Sequence, residues 1–317
     1  MRSLYQLMIA ILLIILFAAG SMQAKEIRGQ TATGSLEWSP QSFAGFYYDI
    51  DKDLGTERII TTVTDEKLEE PQGIVYTTTA QKNDFDFEIW GYYNVIGFMG
   101  QKYFAGYAQD DSYDYPSILY QESIDENSLA DEQLQKILMD SDSETIVTKD
   151  APLTLAEGYV LRLKYVDEKG MLLEMVKNGA VVDSKALSPS IDGATVADKT
   201  YYYRKDVGDQ SGLVIIAVHF KNSMLIENQS IATADGIWQI SDTPTSVKAY
   251  SQFGRMRIAS VSADTITMDN QDSSIFLGRN MDIPLMGDFK IRTADQDIVD
   301  DGNPLRYYIY REDDCRC

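Results

Sequence analysis

Three aspartates at alternate positions, Asp49, Asp51 and Asp53, are the residues in this sequence most suggestive of a site. Hard carboxylate oxygens spaced in this way suit calcium or magnesium, because a looping backbone can turn alternate side chains toward one centre. A complete calcium loop would place glycine sixth and a bidentate glutamate twelfth. Here Gly55 comes one place late and Ile60 holds the glutamate position. The trio is therefore a candidate cation cluster, in competition with a strand that simply runs into an acidic turn. Other acidic groups (Asp110, Asp111 and Asp114; Asp295 and Asp297; Asp300 and Asp301) suggest distributed cation binding at best. No cofactor is required by any of these patterns.

Catalytic constellations are harder to find. The single histidine, His219, sits inside the apolar run Val214-Ile215-Ile216-Ala217-Val218-His219-Phe220. A metal ligand or general base needs polar company at a strand end or loop, so His219 reads as a core or interface residue. No nucleophile elbow, zinc-binding helix or phosphate-binding glycine loop occurs. The chain is read as no enzyme. The two cysteines, Cys315 and Cys317, stand two apart near the C-terminus, where a mutual bond would close a small strained ring. They read as a tail or as a cross-link to a neighbour. Asn228-Gln229-Ser230 is a glycosylation sequon, which makes Asn228 a candidate glycan acceptor in an exported chain.

The elements that would carry these residues are strands. Twenty tyrosines and many β-branched residues cluster between Gly, Asp and Asn. In Phe85-Asp86-Phe87-Glu88-Ile89-Trp90 apolar and acidic residues alternate, as in a half-buried strand. Residues 159–182 read as an antiparallel meander, with Asn178-Gly179 as a hairpin turn because both positions tolerate positive φ. Residues 213–220 read as a buried strand. Helical patterning is confined to residues 128–139 (SLADEQLQKILM), with Ser128 as N-cap. The fold class expected is all-β: two linked β-sandwich domains with at most short helices. Polar breaks near residues 140–150 and 241–245 suggest one domain from 150–243, inserted into another built from 25–145 plus 245–312. The segment after 245 reads as only about four strands, too few for a sandwich of its own. Residues 313–317 form a short tail.

Charge and hydropathy set the compartment. There are 28 basic and 49 acidic side chains, a net charge of −21, which repels nucleic acid and anionic lipid. Residues 1–24 have the layout of a signal peptide: Arg2, an apolar run over residues 7–19, and small residues before Lys25. That run is shorter than the ~20 residues of a membrane span. Residues 4–19 would otherwise serve as an uncleaved anchor. Export without distributed cysteines leaves hydrophobic cores as the source of stability.

Several of these segments, taken together, resemble a known family. Glu26-Ile27-Arg28-Gly29, FAGFYYDIDKDLGTE at 43–57, WGYYNVIGFMGQKYFAGY at 90–107, LAEGYVLRLKYVDEKG at 155–170, GIWQISD at 236–242 and Tyr307-Tyr308 follow in order. They are similar to the duplicated domain of surface-layer (S-layer) proteins of methanogenic archaea. The resemblance implies a pair of linked β-sandwiches that tiles a two-dimensional lattice, forming an acidic, porous coat that sieves solutes. Its implied partners are further copies of the chain or the major S-layer protein. The family's main lattice protein resembles two such units followed by a polar tether and a membrane helix, whereas this sequence holds one. Unpaired backbone groups on sandwich edge strands could be satisfied in trans within a lattice. The alternative is a secreted cell-surface module that binds glycans or another envelope protein through its aromatic strands.

Overall fold

The computed structural model describes residues 25–108, 118–124, 126–300 and 302–313. The signal-peptide residues 1–24, the acidic group at 110–114, Asp301, Cys315 and Cys317 lie outside that set. The fold is all-β, as the spacing of strands and turns predicts. The helical segments among the described residues are Ile118–Glu122, Val196–Lys199 and two single 3₁₀ turns.

A nine-stranded antiparallel sheet is the centre of the architecture. Its main path runs Thr200–Val207, Gln210–Ile226, Gln229–Ile240, Gln133–Ser141, Gln101–Tyr107, Tyr92–Phe98 and Gln81–Asp84. The short strands Thr145–Thr148 and Thr245–Ser246 join its sides. A four-stranded meander, Leu153–Thr154, Tyr159–Asp167, Gly170–Lys177 and Ala180–Leu187, packs over the long hairpin formed by Gln210–Ile226 and Gln229–Ile240. At the other end, Glu57–Thr61 and Ile74–Thr79 of a six-stranded sheet pack on Tyr92–Phe98. Lys25–Arg28, Tyr307–Asp313, Phe289–Thr293 and Asp282–Met286 form a further four-stranded sheet.

Two hydrophobic cores result, and they share a wall. Successive residues of a strand point to opposite faces. In Tyr92–Phe98, Val95 enters one core while Ile96 and Phe98 enter the other. In Gln101–Tyr107, Phe104 belongs to the first core, and Tyr103 and Ala105 belong to the second. A bulge between the pairs Asn94–Gly106 and Val95–Phe104 shifts the register by one, which returns Tyr107 to the face of Phe104. Burial on both faces explains why NVIGFMGQKYFAGY is apolar almost without alternation.

Aromatic residues fill both cores. In the first, Trp238 stacks edge-on against Phe85 at 4.8 Å and lies 4.7 Å from Tyr93. Its Nε1 donates to the Tyr107 hydroxyl at 3.0 Å, which in turn donates to the Val214 carbonyl at 2.5 Å. In the second, Phe43, Phe46 and Phe289 form a triangle of edge-to-face pairs, and Trp38 Nε1 donates to the Gln30 carbonyl. The polar tips of these large rings are thereby satisfied inside otherwise apolar surroundings.

Three expectations need correction. Residues 85–90 form no strand: the chain leaves the sheet at Asp84 and bends into the 3₁₀ turn Glu88–Trp90, which buries Phe85, Phe87 and Trp90. Residues 128–139 form no helix. The chain makes a tight turn in which Glu132 has φ +52°, then enters the strand Gln133–Ser141. Helical propensity there is a weak prior, and tertiary contacts override it. Gln133 and Gln135 point at Gln210, whose Oε1 accepts from both amides and from the Ser128 hydroxyl, while Leu129 and Leu134 fill the second core. The segment after 245 also holds more than four strands: eight short strands among the described residues, five of them five residues or longer. The 159–182 meander forms as expected, with Asn178 at φ +50° and Gly179 at φ +88° in its turn.

Candidate functional site

The Asp49 trio lies in the tight loop between the two-residue strands Tyr48–Asp49 and Leu54–Gly55. Asp49 Oδ1 accepts from the backbone N–H groups of Asp51 and Lys52, both at 3.2 Å. Asp53, with φ +48°, accepts from the Tyr48 hydroxyl. Two of the three carboxylates therefore hold the loop's own backbone and a tyrosine, and Asp51 faces solvent. Other acidic groups are similarly engaged. Arg279 ion-pairs with both Asp295 and Asp297, and Asp300 caps the turn to Gly302 and Asn303. Among the described residues, no three His, Cys, Asp or Glu side chains converge as metal ligands would.

Asn228 occupies the tip of the long hairpin between Gln210–Ile226 and Gln229–Ile240. Glu227 and Asn228 both have positive φ (+47° and +66°), the conformation a two-residue turn demands, and Asn tolerates it well. The side chain is exposed, as a glycan acceptor must be.

His219 is 5% exposed on the neck of the same hairpin. Its Nδ1 lies 2.5 Å from Asp235 Oδ1, and its ring stacks obliquely on Phe87 at 4.5 Å. Burial holds the imidazole below its usual range, and Asp235 pulls the other way. The pair links the strands Gln210–Ile226 and Gln229–Ile240.

Two polar junctions escape a reading from sequence. Glu57 is 2% exposed, at the contact of the six-stranded and nine-stranded sheets. Its carboxylate accepts from the Tyr47 N–H at 2.7 Å, the Gly100 N–H at 2.9 Å and the Tyr76 hydroxyl at 2.9 Å. Burial pushes its pKa up to about 7 against those donors and the nearby Arg311. The loop it holds needs its glycines. Gly100 has φ +75°, and a Cβ there would lie 2.3 Å from the Gly45 carbonyl. At Gly97 a Cβ would lie 2.7 Å from Glu57 itself. The available signal was parity, since Glu57, Ile59 and Thr61 share one face of their strand and the other two are core types.

The second junction centres on Asp242. Its Oδ2 accepts from Tyr159 Oη at 2.7 Å, Lys205 Nζ at 2.7 Å and Lys177 Nζ at 3.2 Å. Lys177 also lies 3.9 Å above the Tyr159 ring. Burial opposes ionisation of Asp242, yet Lys205, Tyr159 and Lys177 outweigh it and hold the carboxyl well below its usual range. Glu157 closes the group by accepting from the Asp242 N–H and the Ser241 hydroxyl. Both junctions fasten one sheet to another. A cavity of about 500 Å³ elsewhere is lined by Val63, Leu277, Val299, Pro304 and Leu305, with Glu66 and Asp300 as its carboxylates.

Linked antiparallel sheets fastened by polar junctions define an all-β protein. A family model described as "S-layer protein" matches residues 27–295, and the chain belongs to that family. It is similar to the major S-layer protein of Methanosarcina acetivorans, 30% identical over 298 residues covering 90% of this chain and 40% of that protein. The major S-layer proteins of Methanosarcina barkeri and Methanosarcina mazei match at 28% and 29% identity, with 89% and 90% of this chain covered. The chain thus spans about 40% of the length of these relatives. Among the described residues no helix is long and apolar enough to cross a membrane.

Proposed function

We propose that this chain is a tile of a two-dimensional cell-surface lattice, forming part of an acidic, porous coat, and that it performs no catalytic step. The observation that carries this reading is the family match over residues 27–295, which takes in the first core and all the buried residues of the second except Tyr307 and Ile309. The physical character of the molecule supports it. Sheets joined by buried polar bolts make a stiff body, and the charge of −21 gives any pore between tiles a preference for cations over anions. Lattice partners would be further copies of the chain or a major S-layer protein. Divalent cations would act as counter-ions to the acidic surface.

Electron microscopy of the purified chain, concentrated with and without calcium or magnesium, tests the proposal. Ordered sheets are the expected result. Persistent monomers, even when mixed with a major S-layer protein, would refute it and favour the cell-surface binding module.

A further inference from the structure

Most sheet edges of this molecule are short or blocked. Leu36–Trp38, Gln252–Phe253 and Leu153–Thr154 are two or three residues long, and Lys25–Arg28 and Gln81–Asp84 are four. The edge strand Asp282–Met286 carries Pro284, whose ring removes a backbone donor. Thr200–Val207 is eight residues long, but it breaks register twice, and its Arg204 and Lys205 are tied to Glu122 and Asp242. Ala180–Leu187 is different. It is eight residues long, exposed along most of its length, and paired on one side only among the described residues. Its one irregularity is a bulge at Val182, beyond which residues 183–187 run regularly. Long, open edges invite pairing with another strand, which is why soluble proteins block them.

We propose that Ala180–Leu187 pairs antiparallel with the same strand of a second copy, about a two-fold axis through Ser184, joining two four-stranded sheets into one of eight. The order of side chains selects this register. With Ser184 opposite Ser184, Asp183 of each copy faces Lys185 of the other, Val182 faces Ala186, and Val181 faces Leu187. Moving the axis to Asp183 or Lys185 sets like charges against each other, which destabilises a sheet. Neither charge has an ion-pair partner within 4.0 Å among the described residues. Lys185 Nζ reaches only the Thr200 carbonyl at 3.5 Å and the Tyr202 ring at 4.7 Å, and Asp183 accepts from the Tyr201 hydroxyl. Burial lowers the pKa of Lys185 against the pull of Asp183 in the same chain, and the facing Asp183 of a second copy adds to that pull. Val181 and Val182, 55% and 42% exposed, gain apolar neighbours at the two ends of the ladder.

Cysteine placement tests the register. In a Cys315→Ser/Cys317→Ser background, Ser184→Cys sets two sulfurs across the axis, with Cα atoms about 5 Å apart, within disulfide reach. Mild oxidation is expected to give a covalent dimer. Ala186→Cys alone is expected to give no covalent dimer, and to cross-link when mixed with Val182→Cys. A monomeric Ser184→Cys, or an Ala186→Cys that cross-links with itself equally well, overturns the register. In sedimentation, Lys185→Asp is expected to weaken pairing about tenfold, and the swap Asp183→Lys/Lys185→Asp to restore it. A folding defect would not be rescued in this way, and failure of the swap overturns the charge pairing. The contact rests on the tile reading for its role, yet the two fail separately. Dimers without sheets support the strand contact and remove the tile, whereas sheets lacking the Ser184→Cys bond remove the contact and keep the tile.

Discussion

Replacing Glu57 by glutamine should change how stability responds to pH, because this carboxyl titrates in a different range in the folded chain. Burial at the junction between sheets raises its pKa to about 7, from an ordinary value of 4.5. Between those values the folded state holds a proton that the unfolded chain has lost, so stability falls as pH rises. The contribution is complete below about pH 4.5 and gone once the pH passes about 7. A separation of roughly 2.5 pH units corresponds to about 3 kcal/mol, most of it between pH 5 and 8. Glutamine cannot ionise, so this dependence disappears. Urea unfolding of both proteins, at several pH values above the isoelectric point near 4.4, isolates the effect as a difference. Relative to wild type, Glu57→Gln should improve by about 2.5 kcal/mol from pH 5 to pH 8, whatever its absolute cost. A difference that stays constant across that range would refute the reasoning. It would mean that the donors from Tyr47, Gly100 and Tyr76 keep the carboxylate ionised at all these pH values.

Other parts of the structure make shorter predictions. Asp242→Ala leaves Lys177, Lys205 and the Tyr159 hydroxyl without their shared acceptor and should cost about 2 kcal/mol in urea unfolding. A cost within ±0.5 kcal/mol would show the junction to be ornamental. Asn228→Asp keeps a residue that tolerates positive φ but removes the amide nitrogen a glycan needs. Protein from the native host should lose glycan mass in intact-mass spectrometry with stability unchanged, and identical masses would remove Asn228 as an acceptor. Calcium and magnesium should raise the melting temperature equally, and by as much in Asp51→Asn, because Asp49 and Asp53 are engaged within their own loop. A calcium-selective rise abolished by Asp51→Asn would instead establish an ion at the trio. Calorimetry should show one transition for both cores, since strands 92–98 and 101–107 belong to each. Two separate peaks would contradict the shared wall.

Local sequence chemistry carried much of the architecture. The meander at 159–182 was legible because Asn178-Gly179 fixes a hairpin through backbone sterics alone. The buried run at 213–220 was legible because seven apolar residues with one histidine have few alternatives. Residues 128–139 misled for the opposite reason. Their 3.6-residue spacing is real, but Gln133 and Gln135 are buried through contacts with Gln210, some 75 residues away, which no local pattern records. The same limit hid the polar junctions. Glu57 looks like an ordinary acidic residue until Gly100 and Tyr76 are brought to it. Asp242 lies in a polar stretch that reads as a linker, although three donors from three strands meet there. The Asp49 trio was visible for its spacing, and the structure shows that spacing serving a turn.

The wall common to both cores also governs how the molecule carries load. Tension applied in the plane of a coat, entering where one core lies and leaving where the other lies, passes through strands 92–98 and 101–107. Those strands are clamped by side chains above and below, so the two ends cannot slide apart by shearing a thin linker. Extension requires breaking a ladder and emptying two cores together. A chain of this construction responds to stretch as one stiff plate, and in the proposed coat any give would come from the seams between copies.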